Sequence, residues 1–283
     1  MSSSKNKSFK NNEVFQAFQK SNYRSTKHTN FFYIYNDLLK KYKDKEITIV
    51  EIGVASGGSL FMWKNYFNSK ARIIGIDFNP GSKRWENYGF EIYIGNQSDP
   101  NFWRNFFEKI GKIDILIDDG GHTNEQQIIT FLNTFEHIND EGLLIIEDTH
   151  TSYMKEFGNP SKYSFMNFCK KIIDEQNCKS IKDLDFKKYL KFIHKIEIYQ
   201  SLVAFHFNSL KAEKNSSIIN NGKLVNSEDY RLNDINLFKK IDKLKNYVRS
   251  SIPIGIYKIL KKLYPYLKFL YFKFRNIKNK RFF

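Results

Sequence analysis

Two short apolar runs in this sequence end in acids. Ile113-Asp114-Ile115-Leu116-Ile117 leads into Asp118, Asp119, Gly120, Gly121 and His122, and Leu143-Leu144-Ile145-Ile146 leads into Glu147 and Asp148. Apolar runs of this length bounded by glycine read as buried parallel strands. In an open α/β sheet, ligands bind just outside the carboxyl ends of the strands. The acids of two strands and a histidine therefore converge where chemistry is expected. Carboxylate oxygens suit a hard cation such as Mg2+, and an imidazole, which titrates near neutrality, suits a general base. An acid at one strand end reads equally well as a helix cap, because Asp is among the preferred N-cap residues. Two such strands together with His122 shift the balance towards a site.

A second constellation precedes these. Glu51-Ile52-Gly53-Val54-Ala55-Ser56-Gly57-Gly58-Ser59 follows an apolar run and opens a helical pattern. Glycines there let the backbone approach a ligand closely, although an ordinary strand-to-helix turn would also use them. The spacing is not GxGxxG, which weakens a dinucleotide reading. Asp77 lies 24 residues after Gly53, where a carboxylate can accept hydrogen bonds from ribose hydroxyls. A carboxylate at Glu51 would repel a pyrophosphate and attract a cationic or amine group, so the pair points to S-adenosylmethionine rather than a nicotinamide cofactor.

The elements that must position these residues alternate. Strands are expected at Ile47–Val54, Ala71–Phe78, Glu91–Gly95, Ile113–Asp119 and Gly142–Asp148. Helical patterns run through Phe31–Tyr42, through Leu60, Trp63 and Phe67, through Phe102 and Phe106, and over 124–138 and 161–192. This βαβα rhythm implies a parallel sheet with right-handed crossovers. Two further strands, Ile196–Tyr199 and Leu202–Phe207, lie close enough in sequence to pair antiparallel, giving seven in all. Trp63, Trp85 and Trp103 read as packing residues, and His137, His194 and His206 as structural.

Charge divides the chain. Between Lys239 and Arg281 there are 14 Lys/Arg against one acid, Asp242, a net +13 that leaves only +3 of the total +16 for residues 1–238. Residues 1–12 are polar and expected to be disordered, 13–207 form the catalytic part, 208–235 are an Asn/Ser-rich linker, and 236–283 are a basic amphipathic tail. On a helical wheel, Lys258, Lys261, Lys262, Lys268, Lys273 and Arg275 oppose Ile256, Leu260, Leu263, Leu267, Leu270 and Phe274. Pro265 is expected to kink or split that helix. Such a tail suits peripheral contact with an anionic membrane surface ahead of simple packing, with a nucleic-acid arm third. Two cysteines without metal-ligand spacing, no apolar leader and no long uncharged apolar run point to a cytoplasmic protein, with the tail as its membrane address at the inner face.

The order of these motifs resembles the class I S-adenosylmethionine-dependent methyltransferases. It is similar in particular to the metal-dependent sugar O-methyltransferases of macrolide biosynthesis, of the mycinamicin and macrocin type, and to the cephalosporin-hydroxylase-like group. The matching residues are Glu51-Ile-Gly-Val, Gly58-Ser59-Leu60 with Met62-Trp63, Gly75-Ile76-Asp77, Gln97-Ser98-Asp99, Ile117 to His122, and Ile146-Glu-Asp-Thr-His-Thr-Ser-Tyr153, with Thr26-Lys27-His28, Tyr33 and Tyr35 ahead of the core. It covers about residues 23–207. Asn96 and Gly121 depart from the usual pattern without removing a proposed ligand.

The resemblance implies a Rossmann-like methyltransferase fold: a mostly parallel seven-stranded sheet flanked by helices, here with a basic C-terminal helical extension. It implies S-adenosyl-L-methionine held by Glu51, Gly53, Ser56, Gly58, Ser59, Asp77, Asp99 and Asp118, with Asp118 also readable as a structural acceptor. It implies Mg2+ on Asp119, Glu147 and Asp148, and His122 as the base that deprotonates a sugar hydroxyl. His28 and His150 would face the substrate. The expected acceptor is a nucleotide-sugar or a surface glycan such as capsule or lipopolysaccharide, and a homo-oligomer is compatible with the sequence. The rivals are an RNA or other small-molecule methyltransferase, a nicotinamide-dependent oxidoreductase, disfavoured by the absent GxGxxG, and a non-catalytic binding module, disfavoured by the intact acids and His122.

Overall fold

A computed structural model describes residues 9, 11–178, 187–213, 215–225, 235, 240 and 253–282. The chain divides into two compact units, Met1–Ser217 and Ile218–Phe283. In the first, two helices, α1 (Glu13–Gln19) and α2 (Thr29–Leu39), precede the alternating core. The core runs β1 (Ile47–Ile52), α3 (Gly58–Phe67), β2 (Ala71–Asp77), β3 (Glu91–Ile94), α4 (Pro100–Ile110), β4 (Ile113–Asp118), α5 (Asn124–Thr134) and β5 (Ile138–Glu147). It closes with α6 (Phe165–Cys178), β6 (Ile193–Tyr199) and β7 (Leu202–Phe207). The expected fold is the one observed: a seven-stranded sheet in the order β3-β2-β1-β4-β5-β7-β6. All neighbours are parallel except β7, which runs antiparallel to both β5 and β6.

The strands are apolar on both sides because both faces are covered. Alternate residues point opposite ways. Ile115 and Ile117 of β4 and Ile145 of β5 pack under α1, α2 and α3 with Phe31, Tyr35, Leu60 and Trp63. Leu116, Leu144 and Ile146 pack on the other face with Trp103, Phe107, Phe131 and Phe165 from α4, α5 and α6. The strand order reverses between β1 and β4, which opens a crevice beyond their carboxyl ends. The three tryptophans are buried, as expected, and His137 stacks on Phe107 with ring centroids 4.0 Å apart.

Several boundaries differ from the sequence reading. The helix expected to 138 ends at Thr134, and β5 begins at Ile138 rather than Gly142, because Ile138 pairs with Ile113 while the polar residues 139–141 hide the strand in the sequence. The helix expected over 161–192 is Phe165–Cys178, followed after residues outside the description by a short 3-10 turn, Lys188–Lys191. Strand β6 starts three residues early, at Ile193, which pairs with Phe207, because the exposed polar residues His194 and Lys195 hide the strand start in the sequence. Most of the N-terminus expected to be disordered lies outside the described residues, but Phe9 is buried against Phe15, Phe32 and Tyr33. Asn12 caps α1 by accepting the Phe15 N–H at 2.8 Å, so ordered packing begins before residue 13.

In the second unit, helix α7 (Ile254–Asn276) runs through Pro265 as a single helix rather than splitting. A proline deletes one backbone donor and costs about 3 kcal/mol in a helix interior, and the rest of the ladder carries the helix across it. Ile256, Leu263, Leu267 and Phe274 on its apolar face are exposed within that unit. Among the described residues, no helix is long and apolar enough to cross a membrane.

Candidate active site

A cleft of about 890 Å³ lies beyond the carboxyl ends of β1, β2 and β4. Gly53, Ser56, Gly58, Ser59 and Asp77 line it, all expected to bind the cofactor, and so does Asp119. Gly53 has φ +92°, and a Cβ there would lie 2.0 Å from the Asp119 carbonyl oxygen, so only glycine lets β1 and β4 converge this closely. Asp77 accepts the Ala55 N–H on one oxygen at 2.9 Å and the Asn79 N–H on the other at 2.8 Å. Each oxygen retains a lone pair towards the cleft, as ribose recognition requires.

Three expected cofactor residues stand elsewhere. Glu51 is fully buried behind the cleft wall, 3.7 Å from the Lys27 ammonium, and does not face a bound amine. Asp118 is buried, accepts from Gln97 Nε2 at 3.0 Å on both oxygens and from the Gly120 N–H at 3.1 Å, and is the structural acceptor of the two alternatives. Asp99 caps α4 by accepting the Asn101 N–H at 2.9 Å. The reason is strand alternation and helix geometry: Glu51, next to last in β1, and Asp118, last in β4, point into the sheet's cover, and Asp before Pro begins a helix. Gln97, part of the Gln97-Ser98-Asp99 motif but given no role by the sequence reading, lines the cleft and accepts the Gly121 N–H at 3.0 Å.

Beside Asp119, beyond the residues that line the cleft, His122 Nε2 lies 3.4 Å from Asp148 Oδ2 and 3.9 Å from Asp119 Oδ1. Ligand atoms of Asp119, His122 and Asp148 all fall within 4.8 Å of one another. His122 and Asp148 both adopt left-handed φ, +59° and +53°. Non-glycine residues hold such angles at a cost of about 1–3 kcal/mol, and they cluster at functional sites. The third expected metal ligand, Glu147, is outside this group. As the last residue of β5 it points inward, and its Oε1 receives the Lys27 ammonium at 2.6 Å and the Tyr35 hydroxyl. Its Oε2 enters neither contact.

Lys27 is the residue that sequence reasoning passed over. Its side chain is 1 % exposed, and its ammonium also donates to Asp119 Oδ2 at 2.6 Å. The apolar segment that usually betrays a buried position is missing: Lys27 sits in a polar stretch, Arg24-Ser25-Thr26-Lys27-His28. Burial by itself would lower the ammonium, but Asp119, Glu147 and Glu51 hold it well above its ordinary value, so it stays charged. Burial pushes Glu51 up to about 7 and Glu147 up to about 8, against the pull of Lys27.

The donor set fits a hard divalent cation. Glu51, Asp119 and Glu147 gather three carboxylates about one ammonium, Asp148 adds a fourth across His122, and buried Asp148 Oδ1 and His122 Nδ1 have no hydrogen-bond partner. Excess negative charge with unpartnered oxygens is what a cation bound through oxygen would resolve.

Two substitutions test these assignments. Lys27→Met should lower stability by about 3–5 kcal/mol in urea denaturation, because it strands carboxylates in the interior. Asp99→Ala should cost about 1 kcal/mol through loss of the cap while leaving S-adenosylhomocysteine affinity unchanged by calorimetry; a lost affinity would return Asp99 to the cofactor site.

The chain is similar to known methyltransferases. An 8-demethyl-8-alpha-L-rhamnosyl tetracenomycin-C 2'-O-methyltransferase of Streptomyces olivaceus is 34% identical over 150 residues, covering 50% of this chain and 39% of that one. Demethylmacrocin O-methyltransferase of Streptomyces fradiae is 34% identical over 134 residues, covering 45% and 33%. The chain thus spans well under half the length of these relatives. The MycE methyltransferase of the mycinamycin biosynthetic pathway, solved with Mg, SAH and mycinamycin VI, superposes with a TM-score of 0.64 at 24% identity over 75% of this chain and 56% of that one, a likeness of fold. A family model described as "Methyltransferase domain" matches residues 50–149, the stretch from the end of β1 to just past Asp148.

Proposed function

We propose that this protein is an S-adenosylmethionine- and Mg2+-dependent O-methyltransferase acting on a sugar hydroxyl. The observation that carries the reading is the position of Asp119. Its residue lines the methyl-donor cleft, while its carboxylate stands beside His122 and Asp148. Donor, cation and base thereby meet at one strand end. The printed names of the relatives, O-methyltransferases of rhamnosyl and macrocin compounds, support a sugar hydroxyl as the acceptor.

In this reading Gly53, Ser56, Gly58 and Ser59 shape the cleft, and Asp77 takes the ribose hydroxyls. Asp119, Asp148 and the Glu147 oxygen that Lys27 leaves free would hold the cation. A divalent ion held there would acidify and fix the hydroxyl that touches it. His122 Nε2 receives the hydroxyl proton, and Asp148, 3.4 Å away, orients the ring and stabilises its charged form. The oxygen forms its bond to the methyl carbon as the carbon–sulfur bond breaks, and the sulfur leaves as a neutral thioether. Alignment of oxygen, carbon and sulfur supplies much of the acceleration. The acceptor is a nucleotide-sugar or a glycan of the cell surface.

The test is a screen of nucleotide-sugars and glycosides with labelled S-adenosylmethionine. Transfer should need Mg2+ and vanish with EDTA. His122→Ala should lower kcat by roughly 10²–10⁴-fold while keeping its affinity for S-adenosylhomocysteine. Transfer that persists in EDTA and in Asp119→Ala would overturn the metal assignment.

The tail extends the proposal to location. The opposed lysine and apolar faces of α7, with the latter exposed in its unit, support docking on an anionic membrane from the cytoplasmic side. Each basic residue near such a surface is worth about 1 kcal/mol. Replacing Lys258, Lys262, Lys268 and Lys273 with Glu should abolish co-sedimentation with phosphatidylserine vesicles; equal pelleting would refute membrane docking.

A further inference from the structure

We propose that His28, Asp148 and His150 form a second cation position beside the first, selective for a nitrogen-preferring transition-metal ion such as Zn2+ or Co2+. His28 Nε2 lies 3.2 Å from Asp148 Oδ1, and His150 Nδ1 lies 3.9 Å from the same oxygen. One ligand atom from each residue falls within 4.8 Å of the other two. With metal–nitrogen and metal–oxygen bonds of about 2.0–2.2 Å, small side-chain rotations bring all three onto one ion. The two rings meet edge to face, centroids 5.7 Å apart at 88°, so they do not stack on each other.

Two observations mark the group as more than a chance gathering. Asp148 Oδ1 and His150 Nδ1 are buried atoms with no hydrogen-bond partner, and leaving such atoms unpaired costs free energy unless a ligand engages them. The Asp148 carboxylate is also divided between two clusters. Its Oδ2 faces His122 at 3.4 Å, and its Oδ1 faces His28. One oxygen therefore serves the oxygen-rich position with Asp119, and the other serves a position with two imidazoles.

Donor chemistry separates the two. Carboxylate oxygens suit Mg2+, whereas imidazole nitrogens suit zinc, copper, nickel and iron. Two nitrogens and one oxygen from three residues leave coordination positions open. His28 and His150 are partly exposed, 55% and 41% at the side chain, so water or a substrate oxygen can fill those positions. The three come from separate places: His28 from the N-cap of α2, and Asp148 and His150 from the turn after β5. An ion here ties the segment that carries Lys27 to the end of β5, and it uses the Asp148 oxygen that the neighbouring position leaves.

The inference rests on these side chains and not on the methyltransferase reading. The probe is Co2+ alone, titrated into untagged full-length protein held in saturating Mg2+, with heat and visible ligand-field absorption recorded. One equivalent of Co2+ should bind that Mg2+ does not displace. The His28→Ala/His150→Ala double variant should bind it at least about tenfold more weakly, and His122→Ala should retain it. Co2+ that Mg2+ fully displaces, or that the double variant binds unchanged, would overturn the second position. A titration of S-adenosylhomocysteine on the same samples reads the donor cleft separately, so failure of the metal position and failure of the methyltransferase reading are distinguishable.

Discussion

The site depends on one buried ammonium. Lys27 reaches Glu51 at the end of β1, Asp119 beyond β4 and Glu147 at the end of β5, at 3.7, 2.6 and 2.6 Å. These strand ends would otherwise bring like charges together in a low dielectric, where repulsion is strong. Burying an ion costs several kcal/mol, recovered only where geometry and hydrogen bonds are good. Here the ammonium donates to two carboxylates, and Tyr35 donates to one of them. The segment that carries Lys27 has no regular structure to hold it. It is fixed instead by Ser21 Oγ donating to the Gly58 carbonyl at 2.8 Å and by Tyr23 packing on Phe61 and Trp85. Gly58 allows this, since a Cβ there would sit 2.5 Å from the Arg24 backbone.

The two acidic pairs obey one rule. In each, the first acid closes the strand and points into the protein, and the second turns out towards His122. Asp118 and Glu147 are both 1 % exposed and serve neighbours: Gln97 and the Gly120 N–H for one, Lys27 and Tyr35 for the other. Asp119 and Asp148 are both 22 % exposed at the side chain and meet at His122. The inner acids hold the frame from which the outer ones project. Gln127 adds to that frame by donating to the Glu147 carbonyl at 3.0 Å from within α5.

The architecture was legible because parallel strands covered on both faces are continuous apolar runs, and Ile113–Ile117 and Leu143–Ile146 are such runs. The antiparallel pair at the end was legible from the short separation of β6 and β7. Strand polarity, however, says only that acids lie at the carboxyl end, not which way each points. That is why Glu51 and Asp118 read from sequence as facing ligands while the structure turns them inward, and why the turn of one Glu147 oxygen onto Lys27 and Tyr35 was not foreseen. Asp99 read the same way, although Asp followed by Pro100 is a helix-start signal. Lys27 was legible only as part of a motif, because a single lysine among polar residues carries no local sign of burial. Its partners are 24, 92 and 120 residues away. Such contacts exist only once the sheet has assembled.

Charge arithmetic within the first unit bears on what can enter the cleft. The chain's +16 belongs almost wholly to the tail, and residues 1–238 carry only +3. At the site itself the sign is negative, with Glu51, Asp119, Glu147 and Asp148 against Lys27. Two positive charges from a divalent ion and one from a sulfonium would bring that set of four carboxylates and one ammonium to neutrality. A neutral polyol then approaches without repulsion, whereas a phosphate near His122 would meet uncompensated carboxylates unless the cation were already in place.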